Sequence, residues 1–294
     1  MQLVKQIRHI GYTSKDRGES LCLLRELLGI SDCRTQENTY PYIAAAIGYP
    51  QVRNRVAFAR LPGDPVSVEV LDYEIPRRDD PPVGLSNPGQ GWISWGVENL
   101  EDSLRIIEDS MYISPLAETG CMESGPWQGK QMAFFSGKDG LFFSLVETRD
   151  SKRLSHAGFV VSNLEEILTF LTEELGFTLL EREKRSDRLI HSVTGWEADC
   201  ETAVVQAAGF PLMLWQHPAP PAGPADVEPA RIGNIHLCCE VEDIDSAWRT
   251  LAAHGHRFPG KPAYVTHGAN RGAYAIYMQT PNELRCELYQ KPEN

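Results

Sequence analysis

The sequence predicts an α+β protein made of four βαβββ modules, paired into two domains of cupped sheet. Three observations predict it. Four short segments begin alike, centred on His9, Trp92, His156 and His236, and each reads as a strand running into a polar turn and an amphipathic helix. Strand-rich sequence follows each helix and closes on a last apolar strand. A polar, charged run, ETRDSKR, then divides the chain near its middle.

In the first unit the opening strand is Ile7–Tyr12, the helix runs from Gly18 to Leu28, and Val66–Tyr73 closes the unit. The second has Gly91–Val97, a helix over Leu100–Ser110 and a closing strand over Gly140–Val146. In the third, Leu154–Val160 leads to a helix over Leu164–Leu175. Its residues Leu164, Ile167, Leu168 and Leu171 recur on one face, and Pro211–Gln216 closes the unit. The fourth has Asn234–Glu240, a helix over Asp243–His254, a strand over Ala273–Gln279 and a last strand over Leu284–Tyr289. One such unit cannot bury its own helix face, so units pair. Pairing in chain order gives an N-terminal domain, 1–150, and a C-terminal domain, 151–294. The Pro- and Ala-rich stretch His217–Pro229 joins units three and four.

Composition narrows the function. The 294 residues suffice for two domains. A net charge of −12 argues against nucleic acid and against a basic membrane patch. No apolar run approaches the roughly 20 residues of a membrane span, and the N-terminus MQLVKQIRHIGY lacks the apolar core of a signal peptide. The seven cysteines are scattered without CxxC spacing, and Cys22, Cys238 and Cys286 sit in apolar runs as reduced core residues. The expected compartment is the cytoplasm.

The last strand carries the chemical signal. Its apolar residues Leu284, Cys286 and Leu288 fall on one face, and Arg285, Glu287 and Tyr289 on the other. A carboxylate in mid-strand among apolar residues is costly unless paired or coordinated. With His267, Tyr277 and Pro281 before it, Glu287 resembles the signature of the extradiol ring-cleaving dioxygenases. Glu283 stands where that family has Gly or Pro. If its φ is positive, it carries roughly 1–2 kcal/mol of strain. The whole chain resembles the vicinal oxygen chelate superfamily, which includes extradiol dioxygenases, glyoxalases, epimerases and antibiotic-resistance proteins.

In that superfamily ligands come from the middle of a unit's first and last strands. In units one to four these positions read His9 and Glu69, Trp92 and Ser144, His156 and Met213, and His236 and Glu287. Pairing in chain order implies a site of His156, His236 and Glu287, with Met213 packing beside it and a metal-free first domain. His9 and Glu69 then remain as a hydrogen-bonded pair or as part of the subunit packing. Two imidazoles and one carboxylate with open positions suit Fe(II), with Mn(II) as the other ion these donors accept. The resemblance implies an Fe(II)-dependent extradiol dioxygenase that opens a catechol-like aromatic diol with O2, assembled as a homo-oligomer. It gives Tyr277 and His267 hydrogen-bonding roles toward substrate and oxygen. Ring-cleaving relatives carry a further His in the third unit. Here Glu201 stands at that place, and His191 takes it if the register shifts. Trp196, Trp215 and Tyr274 are candidate pocket walls. His254 and His256, near a helix end, are candidate dipole partners. Two other readings stay open: a metal-dependent lyase or isomerase of the glyoxalase kind, and a protein that sequesters a small aromatic or antibiotic. Against the former stands the lack of a second carboxylate among the four C-terminal positions.

Overall fold

The computed structural model describes the chain except residues 1, 31–32, 62, 81–82, 124–125, 150–152, 186, 220–226, 281–282 and 293–294. Pro281 and the middle of the His217–Pro229 stretch thus lie outside the described residues.

The first unit comprises β1 (Val4–Thr13), α1 (Arg17–Leu28), β2 (Cys33–Asn38), α2 (Pro41–Ile47), β3 (Arg53–Ala59) and β4 (Ser67–Ile75). The second has β5 (Gly91–Val97), α3 (Leu100–Glu108), β6 (Ile113–Pro115), β7 (Gly120–Cys121), β8 (Gln131–Gly137) and β9 (Phe142–Glu147). The third has β10 (Arg153–Val161), α4 (Leu164–Thr169) continued by a wider turn over Phe170–Glu174, β11 (Thr178–Arg185), α5 (Arg188–Thr194), β12 (Cys200–Ala207) and β13 (Phe210–Gln216). The fourth has β14 (Ile235–Val241), α6 (Ile244–Ala253), β15 (Ala263–Tyr264), β16 (Tyr274–Gln279) and β17 (Arg285–Gln290).

Each unit starts its main helix by the same local chemistry. Asp16, Asn99, Asn163 and Asp243 cap α1, α3, α4 and α6 by accepting backbone N–H bonds in the first turn. The closing strand adds a second acceptor in all four units, Asp72 taking the Arg17 N–H at 3.4 Å in the first. Glu147 takes the Leu100 N–H at 3.3 Å, Gln216 the Leu164 N–H at 2.7 Å and Gln290 the Ile244 N–H at 2.8 Å. The helix is thereby tied to the strand that ends its own unit.

The units do not pair in chain order. One sheet runs β15-β16-β17-β14-β1-β4-β3-β2, joining unit four to unit one; the other runs β11-β12-β13-β10-β5-β9-β8-β6 and joins unit three to unit two. The seams are antiparallel, β1 on β14 and β10 on β5. The division at residue 150 therefore does not separate the sheets. The short polar run between β9 and β10 links two units of one sheet. The longer connections, from Ile75 to Gly91 and from Gln216 to Ile235, carry the chain across to the other sheet and back.

One apolar core lies between the sheets. Leu23 and Leu24 of α1, Ile107 of α3, Ile167 and Leu171 from the third unit and Leu251 of α6 fill it, against Ile10 and Leu288 from one sheet and Ile93 and Leu214 from the other. The predicted alternation of the last strand holds, with Cys286 and Leu288 in this core. The opposite, concave face of each sheet is then free to hold a site. Glu283 has a φ of 68°, which meets the condition under which a non-glycine residue there is strained.

Candidate metal centre

Pairing of units one and four brings His9, Glu69, His236 and Glu287 together on one concave face. Across the strands, His9 lies opposite Cys238, and Cys238 opposite Glu287. In the next row His236 lies opposite Gly11, and Gly11 opposite Glu69. Residues directly opposite in a sheet share a face, so the four side chains converge. Gly11 is required by this approach: a Cβ there would meet His236 Cε1 at 1.9 Å.

The distances are short. His9 Nε2 lies 3.3 Å from His236 Nε2 and 3.2 Å from both Glu69 Oε2 and Glu287 Oε2. His236 Nε2 lies 3.3 Å from Glu69 Oε2 and 3.9 Å from Glu287 Oε2. All four residues are buried. Burial alone would lower the His9 pKa, but Cys238, Glu69 and Glu287 around it raise it well above its ordinary value. Burial alone would likewise raise the Glu69 pKa, and His9 and His236 hold it well below the carboxylate range instead.

These contacts fit a cation better than a set of hydrogen bonds. Glu69 Oε2 stands at ion-pair distance from both imidazoles, yet forms no hydrogen bond of acceptable geometry with either. The two Nε2 atoms also face one another, and a neutral imidazole has only one N–H to give. Ligand atoms of His9, Glu69 and His236 all lie within 4.8 Å of each other, as do those of His9, Cys238 and Glu287. Imidazole and carboxylate donors suit a divalent first-row ion.

His9, Glu69 and Glu287 open into a cavity of about 90 Å³. Gln36, Asn38 and Asn54 line it on the unit-one side, Tyr277 and His267 on the unit-four side, and Ile43 and Ile47 of α2 lean over it. The Tyr277 hydroxyl lies 3.2 Å from His236 Nε2. Burial, with Glu287 and Glu69 nearby, raises the Tyr277 pKa well above its usual value, so the group remains an O–H donor. His267 stacks on Tyr40 with ring centroids 4.1 Å apart, and its Nδ1 lies 2.7 Å from Thr266 Oγ1. Tyr277 and His267 thus both line the cavity beside the donor cluster.

The expected triad is not assembled. His236 and Glu287 meet, but His156 lies in the other sheet. It is buried between Trp127 and Trp92, with ring centroids 4.1 and 6.3 Å away, and burial lowers its pKa to about 3. The first half was expected to be metal-free, with His9 and Glu69 as a leftover pair; instead those two residues join His236 and Glu287 in one cluster because β1 pairs with β14. Met213 packs in the apolar cluster of the other cup, as expected. Glu201 and His191 also belong to that sheet's third unit, on β12 and α5, and neither lines the cavity. Glu201 pairs with Arg182 at 3.0 Å on the surface. Trp196 and Trp215 fill the second cup, while Tyr274 is exposed beside Tyr264. His254 and His256 share Glu174 Oε2 as partner, at 3.1 and 2.7 Å.

The architecture is a mixed α+β, two-domain glyoxalase-like fold. Residues 153–288, just under half of the chain, match the Glyoxalase/Bleomycin resistance protein/Dioxygenase superfamily. No curated protein matches. Among solved structures, glyoxalase I from Zea mays aligns with a TM-score of 0.67 at 15% identity, covering 97% of this chain and 92% of that one. A point mutant of the same enzyme reaches a TM-score of 0.69 at 16% identity with the same coverage. A putative dioxygenase from Bacillus subtilis aligns with a TM-score of 0.62 at 14% identity, covering 100% of this chain and 87% of that one. At such identities the likeness is one of fold. Among the described residues, no helix is long and apolar enough to cross a membrane.

Proposed function

We propose that the chain is a metal-dependent isomerase or lyase of the glyoxalase kind, acting on a small molecule with oxygens on adjacent carbons. One observation carries this reading: two buried carboxylates, not one, face the same pair of imidazoles. The second carboxylate that such chemistry uses as a base is present once unit one supplies Glu69.

His9, His236, Glu69 and Glu287 would hold a divalent ion, which when bound supplies Lewis-acid polarisation of the substrate's oxygens. Glu69 stands close to both imidazoles, and Glu287 to His9 alone, with His236 at 3.9 Å. Glu287 is thus the carboxylate less tied to the cluster. It takes the proton from the hydroxyl-bearing carbon and returns it to the adjacent carbonyl carbon, while the hydroxyl proton passes from the first oxygen to the second. Tyr277 donates its O–H to the substrate oxygen on which negative charge develops. The apolar side chains of α2 keep water from that oxygen.

The test follows carbon-bound protons. Metal-loaded protein is incubated in deuterated water with a panel of α-hydroxyketones and hemithioacetals, and exchange is read by proton NMR. Exchange that needs the metal and disappears in Glu287→Gln supports the reading; no exchange on any member of the panel sinks it.

A second reading, an Fe(II)-dependent extradiol-type dioxygenase, is favoured by one observation. Tyr277 lies beside His236 with His267 on the same cavity, in the order of the ring-cleaving signature. Oxygen uptake by iron-loaded protein with a catechol panel separates the two.

A further inference from the structure

A second cavity, of about 440 Å³, shares His9, Phe58 and Asn270 with the first and is walled by Arg8, Arg34 and Arg60. Three arginines meeting in one cavity is unexpected in a chain of net charge −12. Arg8 is held in place: its guanidinium stacks over Tyr289 at 4.2 Å, donates to Asn270 Oδ1 at 3.2 Å and lies 3.5 Å from Glu240 Oε2. Glu240 therefore offsets part of Arg8's charge, and it is also 3.7 Å from Lys291. Arg34 and Arg60 form no ion pair with a described residue. Arg60's charge reaches Asp64, whose carboxylate is taken by the Leu154 N–H.

The sheet register ties this cavity to the donor cluster. Arg34 lies opposite Phe58, Phe58 opposite Glu69, Glu69 opposite Gly11, and Gly11 opposite His236. One row on one face thus runs from a guanidinium, past a phenyl ring, to the proposed metal donors. β2 lies two strand spacings, roughly 10 Å, from β4.

We propose that this cavity is an oxyanion subsite, and that the substrate carries a carboxylate or phosphate roughly 10 Å from the oxygens that reach His9, Glu69, His236 and Glu287. The second half of that statement rests on the proposed function; the anion subsite itself does not. Arg34 and Arg60 supply charge that no ion pair with a described residue takes up, Arg8 supplies a fixed fork, and Phe58 packs along the substrate between the two ends.

The experiment titrates metal-stripped protein calorimetrically with inorganic phosphate and, separately, with malonate. The expected result is saturable binding that weakens with added salt and falls at least tenfold in an Arg34→Ala/Arg60→Ala variant. Both arginines are exposed, so the variant should fold, which its circular dichroism checks. The tighter of the two probes names the tail. His236→Ala should lose metal and keep phosphate binding, which separates this subsite from the donor cluster. Equal affinity in the wild type and the double variant overturns the proposal. So does the absence of binding by either probe, or phosphate binding that disappears in His236→Ala alone.

Discussion

On the floor of the cup formed by units one and four, one row reads Glu287, Cys238, His9 and the next reads Glu69, Gly11, His236. At the matching places in the other cup the rows read Ser144, Ser94, His156 and Met213, Gly158, Trp92. Even the glycine is kept: a Cβ on Gly158 would meet Trp92 Cζ2 at 2.0 Å, as one on Gly11 would meet His236. The backbone therefore makes the same clearance twice, once for an imidazole and once for an indole. Trp92, Trp215, Phe134 and Met213 close the second cup with apolar bulk. The first cup keeps two carboxylates and two imidazoles buried without such filling, an arrangement that is unfavourable unless a cation balances it. One backbone geometry can thus serve stability in one sheet and chemistry in the other.

The comparison breaks most sharply through metal content. His236→Ala should fall from one ion per chain to none by elemental analysis, whereas His156→Ala should remain fully loaded; the reverse result would return the site to the triad expected from chain order. Next comes turnover. Glu287→Gln should lower the rate by roughly 10²–10⁴-fold, the usual contribution of a positioned base, while circular dichroism stays unchanged. Steric substitution comes third. Gly11→Ala and Gly158→Ala should each cost about 1–3 kcal/mol in urea unfolding through overpacking, but only Gly11→Ala should also weaken metal affinity.

A smaller effect concerns pH. His156 titrates at about 3 in the folded protein and near 6.5 unfolded, because burial disfavours its charged form. Its depressed pKa means that stability is intact above pH 6.5 and is lost as pH falls toward 3, as the unfolded chain takes up the proton first. Between about pH 7.5 and 5 the loss should be about 2 kcal/mol, and His156→Phe should remove that slope. The smallest expected effect is at Glu201. Its ion pair with Arg182 is exposed, so Glu201→Gln should shift stability by less than about 0.5 kcal/mol and leave turnover unchanged.

Much of this was legible in the residues. The four opening strands, the helices after them and the closing strands announce themselves through periodicity, which acts over a few residues. The eight positions that face the two cups were also readable, because alternation fixes which face Glu69 or Glu287 takes. What periodicity does not carry is which unit meets which. His9 and His236 are in contact, yet nothing near either residue names the other. The charged run before Arg153 looks like a boundary because it is polar, although it joins two units of one sheet. Two short helices, α2 and α5, were also missed. Pro41–Ile47 and Arg188–Thr194 are each about two turns long, too short for a helical repeat to show. Arg34 and Arg60 gave no signal at all, since their meaning comes from the row they share with Glu69.

The pairing of first unit with fourth also sets an order of events in the cell. Every strand of the tryptophan-lined sheet lies before residue 217, so that sheet can close while unit four is still being made. β1 has no such partner at hand. Its seam edge stays unpaired until β14, much later in the chain, arrives. Lys5 and Arg8 put charge along that waiting edge, which discourages pairing with another nascent chain. A chain ended before unit four would thus hold one complete sheet, and His9 and Glu69 without His236 and Glu287.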